Sequence, residues 1–125
     1  MSYQANETCI SRLAGADLRT AQFKAVKINS SGQAVLAAAG DFAIGILQNK
    51  PNVGEAATIQ VHGISKASAD AAITAGARVT PSADGQLVTA TVATDNTLGV
   101  ALEGAAAAGV IFPVLILQAG ASVVD

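Results

Sequence analysis

Aromatic side chains are nearly missing from this chain. Tyr3, Phe23, Phe42 and Phe112 are the only four among 125 residues, and there is no tryptophan. Ala, Val, Ile and Leu must therefore fill the interior, so close approach of backbones replaces side-chain bulk. That composition suits thin sheet layers and shared subunit surfaces. A single cysteine, Cys9, excludes an internal disulfide and fits a reducing compartment. Its expected role is that of a small apolar residue. Basic residues stop at Arg78: residues 79–125 carry four acids and no Lys or Arg, whereas residues 1–78 carry all seven basic residues against five acids. The net charge of −2 leaves no basic footprint for nucleic acid. The asymmetry reads either as solvated loops or as complementary charge, between subunits or against a larger surface.

Targeting and catalytic signals are scarce as well. The first nine residues, MSYQANETC, show no basic start followed by an apolar run, so no secretory leader is expected. Residues 104–124 carry no formal charge and match a spanning helix in length. Gly104, Gly109, Pro113, Gln118 and Gly120 interrupt them, however, and the strongly apolar part is only residues 110–117. Eight residues suit a buried strand, and their apolar excess over residues 57–61 points to cover on both faces, part of it from a neighbouring subunit. There is no G-x-S-x-G elbow and no phosphate-binding G-x-x-x-x-G-K-[ST] loop. His62 is the sole histidine and has no Cys or His near it in sequence, so neither a catalytic triad nor a zinc site is expected. The acids are scattered singly, mostly in turns, without the spacing of a glycosidase pair. These absences point away from an enzyme and from any metal, cofactor or small-molecule substrate.

What is present is β structure and an internal echo. Residues 1–20 read as an extended arm or a loose terminus outside the repeat, with a strand near Thr8–Leu13 and only Ile10, Leu13 and Leu18 as sizeable anchors. From Ala21 the pattern becomes strand-like. A parity slip between Phe23/Ala25 and Val26/Ile28 suggests a bulge. Asn29, Ser30, Ser31 and Gly32 form a hairpin turn, because Asn and Ser bond their own backbone and Gly accepts positive φ. Strands are expected at residues 33–37, 42–47 and 57–61. One helix is expected at residues 68–75, with Ser68 as cap, Asp70 in the first turn and Gly76 after Ala75 as the stop.

The second half repeats the first. Gly32-Gln33 recurs as Gly85-Gln86, Gly45 as Gly99, and Gly54 as Gly109, at separations of 53, 54 and 55 residues. Loop insertions of one residue explain the drift. The expected architecture is one mainly β domain, residues 21–125, built of quasi-repeats at about 21–61 and 77–118. Two copies are too few for a solenoid, so a small barrel or sandwich fits better.

The second copy also carries a resemblance. AITAGARVTPSADGQLVTA followed by TLGVALEGAAAAGVIFPVLI resembles the phage capsid cement, or head decoration, family. The likeness covers about residues 21–118, and the family is similar in role to lambda-type head decoration proteins. It implies a β-tulip-like fold and a homotrimer at three-fold or quasi-three-fold sites of an expanded capsid. It implies a structural virion protein made in the host cytoplasm and placed on the outer capsid surface, with the major capsid protein as partner and without catalysis, nucleic acid or membrane. By analogy, an N-terminal arm orders against the capsid, which would place contacts at Tyr3, Gln4, Asn6, Thr8 and Ile10. The alternative from composition alone is a small ligand- or glycan-binding β module, which the shortage of aromatics disfavours.

Overall fold

The computed structural model describes residues 8–91 and 96–120. Within them run nine strands: β1 (Thr8–Leu13), β2 (Ala25–Ile28), β3 (Ala34–Leu36), β4 (Gly45–Leu47), β5 (Ala56–Ser68), β6 (Arg78–Pro81), β7 (Leu87–Thr89), β8 (Thr97–Ala101) and β9 (Ile111–Gly120). Every pairing between strands is antiparallel. The order is β3-β2-β4-β5-β9-β8-β6-β7, with β1 also on β5, and the sheet curls into a half-barrel. No helix among the described residues is long and apolar enough to cross a membrane.

The 13-residue strand β5 holds the two halves together. Its first part pairs with β1 and β4, and its second part, from Gly63 to Ser68, pairs with β9. The duplication is visible in this pairing. Leu13 faces Ala56 as Ser68 faces Ile111, and Ile10 faces Ile59 as Ser65 faces Val114, each 55 residues on. Ala14 bridges Ala34 in parallel, as Ala69 bridges Leu87. Glu55 O accepts from Ala14 N as Val110 O accepts from Ala69 N, and Gly54 N donates to Ala14 O as Gly109 N donates to Ala69 O.

Two buried clusters follow the same rule. Ala14, Leu18, Val26, Ala34, Leu47, Ala57 and Ile59 fill one. Their counterparts Ala69, Ile73, Val79, Leu87, Ala101, Phe112 and Val114 lie in the other. The second cluster also takes in Ala25, Ala37, Ala43 and Ile46 from the first half, so the two halves share part of their core. Ala14 and Leu18, which the sequence places in the arm, lie in the first cluster. The apolar signal that marks them is two small contacts in a polar stretch, too sparse to show a period.

Three sequence expectations are corrected. Residues 68–75 form no helix: Ser68 ends β5, and the rest is an irregular crossing with bends at Asp70 and Ala71. Its amides donate to distant carbonyls, with Ser68 N on Phe23 O, Asp70 N on Leu87 O and Ile73 N on Ala105 O. A helix of eight residues gains too few internal bonds to compete with those partners. The expected bulge near Phe23 is instead a tight turn before β2, with Phe23 itself at φ 68. Strand β9 is covered on one face only. Phe112, Val114 and Ile116 are buried, while Ile111 and Leu117 are 47% and 52% exposed. A single curled sheet has one inner face, so an apolar run does not by itself imply two.

Candidate functional site

Five of the acidic side chains brace loops. Asp17 lies 2.8 Å from the Arg19 guanidinium, whose hydrogen bonds hold the carboxyl down at about 2. Ser82 Oγ donates to Asp70 at 2.6 Å and lies 3.2 Å from Asp84, which ties the second hairpin turn to the crossing segment. Asn52 N donates to Glu55 at 2.7 Å. Asp41 accepts from Lys27 Nζ at 2.7 Å and from Ala38 N at 2.8 Å, and these donors, Lys27 first, lower its pKa. A carboxyl depressed in the folded state adds stability above the ordinary Asp range, and that stability is lost as pH falls through the folded value. Asp41→Asn is therefore expected to show a smaller loss of stability between neutral and acid pH than the parent protein, read from urea midpoints at each pH. An identical loss in both would remove this role.

Among the described residues, no three of His, Cys, Asp and Glu gather as metal ligands. The fold does bring Cys9 near His62, because Thr8 pairs with His62 and Cys9 with Gln60. Both side chains are exposed, so Cys9 is not the packed apolar residue the sequence suggests.

A groove of about 580 Å³ lies where the two repeats meet. Phe23, Ile64, Leu102, Ile111 and Pro113 give it apolar walls, and Lys66 Nζ sits 5.9 Å from the centroid of the Phe23 ring. Lys66 and Glu103 also line it, while its amide and hydroxyl groups are bonded to the protein itself. Gln48 Nε2 donates to Ile46 O and Ser65 Oγ, Gln60 Nε2 to His62 O and Ile64 O, and Ser65 Oγ to Lys66 O. Such an arrangement ties the backbone of β5 between Gln60 and Lys66. It offers no nucleophile–base pair.

The feature that does face outward is apolar. Ile111 and Leu117 of β9, with Leu102 beside Pro113, form an open strip, and Val53 and Phe42 are 61% and 53% exposed at loop tips. Of the residues that the resemblance suggests as contacts, Thr8 and Ile10 lie on β1, which is exposed along its whole length. Tyr3, Gln4 and Asn6 lie outside the described residues. The apolar strip was visible in sequence as the run 110–117, but there it read as interior.

Fold and surface together define a duplicated, single-sheet β module with exposed apolar side chains along β9. Its sequence matches the model of the phage cement protein family over residues 14–116. The chain belongs to that family, which places it among the capsid-associated structural proteins of phages. No curated protein matches it. Its fold is similar to the head fiber gp8.5 N base of bacteriophage phi29, with a TM-score of 0.69, 15% identity, and coverage of 91% of this chain and 97% of that one.

Proposed function

We propose that this protein is a cement protein that binds the outer surface of an expanded phage capsid, as a β-tulip-like homotrimer at three-fold or quasi-three-fold sites, and stabilises the shell. Family membership over residues 14–116 is the observation that carries this reading. The physical mechanism is mass action: a ligand that binds only the assembled lattice opposes its dissociation. The outward strip of β9 supplies apolar contact area. The N-terminal arm, with Tyr3, Gln4, Asn6, Thr8 and Ile10, supplies contacts to the major capsid protein. An exposed edge such as β1 can also accept a strand from a partner.

The test is co-sedimentation with expanded heads of the cognate phage that lack this protein, followed by heating of decorated and undecorated heads. Saturable binding and a higher disruption temperature are expected. Protein that stays in the supernatant at all concentrations would sink the proposal. Binding without any shift in disruption temperature would leave attachment and remove the stabilising role. A ligand- or glycan-binding reading gains nothing from the groove, whose amide and hydroxyl donors are engaged within the chain.

A further inference from the structure

One face of β9 is left uncovered by the chain itself. Alternation along the strand puts Phe112, Val114 and Ile116 in the core and Ile111, Pro113, Leu115 and Leu117 on the opposite side. The neighbouring strands continue that side in rows. Leu115 lies between Ile64 of β5 and Val100 of β8. Pro113 lies between Lys66 of β5 and Leu102, whose amide donates to Pro113 O at 2.9 Å. Ile64, Val100, Pro113 and Leu115 are half-buried, and Leu102, Ile111 and Leu117 are exposed. The strip is therefore continuous across three strands, and residues 104–117 carry no formal charge.

The first repeat shows that the sheet itself does not require such a strip. At the same places in its ladder, the first part of β5 carries Ala56, Thr58, Gln60 and His62 where β9 carries Ile111, Pro113, Leu115 and Leu117. Gln48 stands where the second repeat has Leu102. All five are small or polar. The same backbone is built without the apolar side chains, so their use lies outside the chain.

Charge identifies the occupant. Lys66 and Glu103 both line the groove beside Pro113, Lys66 on the β5 flank and Glu103 just past Leu102 on the β8 flank. Both are exposed, and neither has an ion-pair partner among the described residues. Arg78 lies opposite Val100, in the row of Ile64 and Leu115, and so is not level with Lys66. An uncharged apolar middle with a cation on one flank and an anion on the other is complementary to a second copy of itself. A capsid subunit is the poorer occupant. Partners that exist apart meet through surfaces no more apolar than the rest of a protein, whereas homo-oligomer contacts are richer in apolar area.

We infer that this strip is where copies of the chain pack on one another, with Lys66 of one copy opposite Glu103 of the next. In a closed ring each copy gives its β5 flank and takes its neighbour's β8 flank. For the number of copies the inference rests on the trimer proposed above. It adds the face that joins them, and it leaves β1 and the arm free for the capsid.

The test reads mass by light scattering over a dilution series of purified full-length protein. The parent is expected at three times the 12.3 kDa mass of one chain. Leu102→Gln, Ile111→Ala and Leu117→His, made together, put the first repeat's residues on the second. This triple variant is expected at the mass of one chain with the parent far-UV circular dichroism. Lys66→Glu and Glu103→Lys each set like charges opposite one another and are expected to weaken association about tenfold or more. The two reversals combined restore the pair and are expected to restore the mass. A folded triple variant of parent mass overturns the inference and leaves the trimer standing; if it also fails to sediment with heads, the strip belongs to the capsid contact. Reversals that weaken association without recovery in the double variant overturn it too. A monomeric parent overturns both the inference and the trimer. Should the triple variant lose the parent circular dichroism, the reversals, which sit at exposed positions, decide the point.

Discussion

Deleting residues 1–17 is expected to unfold the first repeat, whereas deleting residues 1–7 is expected to leave it folded. The longer deletion removes β1 and Ala14. It strips β5 of a paired neighbour along Ala56–His62 and leaves Gly54 N, Glu55 O and Ala34 O without their bonds to Ala14 and Gly15. Ala34 is fully buried, whereas Gly54 and Glu55 are exposed and can turn to water. The net loss is about 1 kcal/mol for each bond that water does not replace, and the β1 ladder of six residue pairs and the packing of Ala14 add to it. Net stabilities of about 5–15 kcal/mol leave little after such a loss. The shorter deletion removes none of the described contacts. Urea denaturation of both deletions, with hydrogen exchange over β5, decides the point. Equal midpoints for the two would show that β1 and Ala14 contribute nothing. A role for the arm in capsid attachment is therefore best tested with a cut before Thr8, because the longer cut confounds attachment with folding.

Gly99→Ala is expected to be the most damaging single methyl in the chain, with Gly45→Ala close behind. These glycines are the same position in the two repeats. Gly99 stands in β8 against β9, where a Cβ would overlap the Leu115 carbonyl and come within 3.0 Å of Val114 Cγ1. Gly45 stands in β4 against β5, where a Cβ would overlap the Gln60 carbonyl and come within 2.9 Å of Ile59 Cγ2. Neither is a left-handed residue, so the constraint is space and not conformation. The obstructing atoms are sheet backbone, which cannot move without breaking its ladder. Overpacking costs typically 1–3 kcal/mol and more where the obstacle is rigid, so about 3 kcal/mol is expected for each. Gly54→Ala is the control. It has φ +82 and nothing within 4 Å of a Cβ, so only the left-handed penalty of about 1–2 kcal/mol applies. A Gly99→Ala midpoint no lower than that of Gly54→Ala would refute the steric account.

Much of the fold was legible because it depends on local chemistry. The turn at Asn29–Gly32 forms as its residues demand: Asn29 Oδ1 accepts from Ser31 N and Gln33 N, and Gly32 takes φ 77. The glycines at 32/85, 45/99 and 54/109 revealed the duplication, because both repeats need the same backbone permissions at the same places. The residues that carry capsid chemistry were not legible in the same way. A contact surface needs no fixed residue types or spacing, so only the family pattern pointed to one.

The remaining errors share one cause. Residues 68–75 carry a helix's cap, acid and stop, but their amides are claimed by β7 and by Ala105, partners distant in sequence. Ala14 and Leu18 read as part of a polar arm, yet the curl of the sheet folds them over the first core. Val110 to Leu117 read as interior, yet one side faces out, because burial depends on what lies across the strand and hydropathy reports only the strand. From sequence alone came the β class, the hairpin turns, the duplication and the family. The tertiary structure decided that Ala14 and Leu18 are interior, which apolar face of β9 is covered, and that Leu13 and Ile28 are left exposed. Those outcomes depend on contacts between residues dozens of positions apart, and no local pattern encodes such contacts.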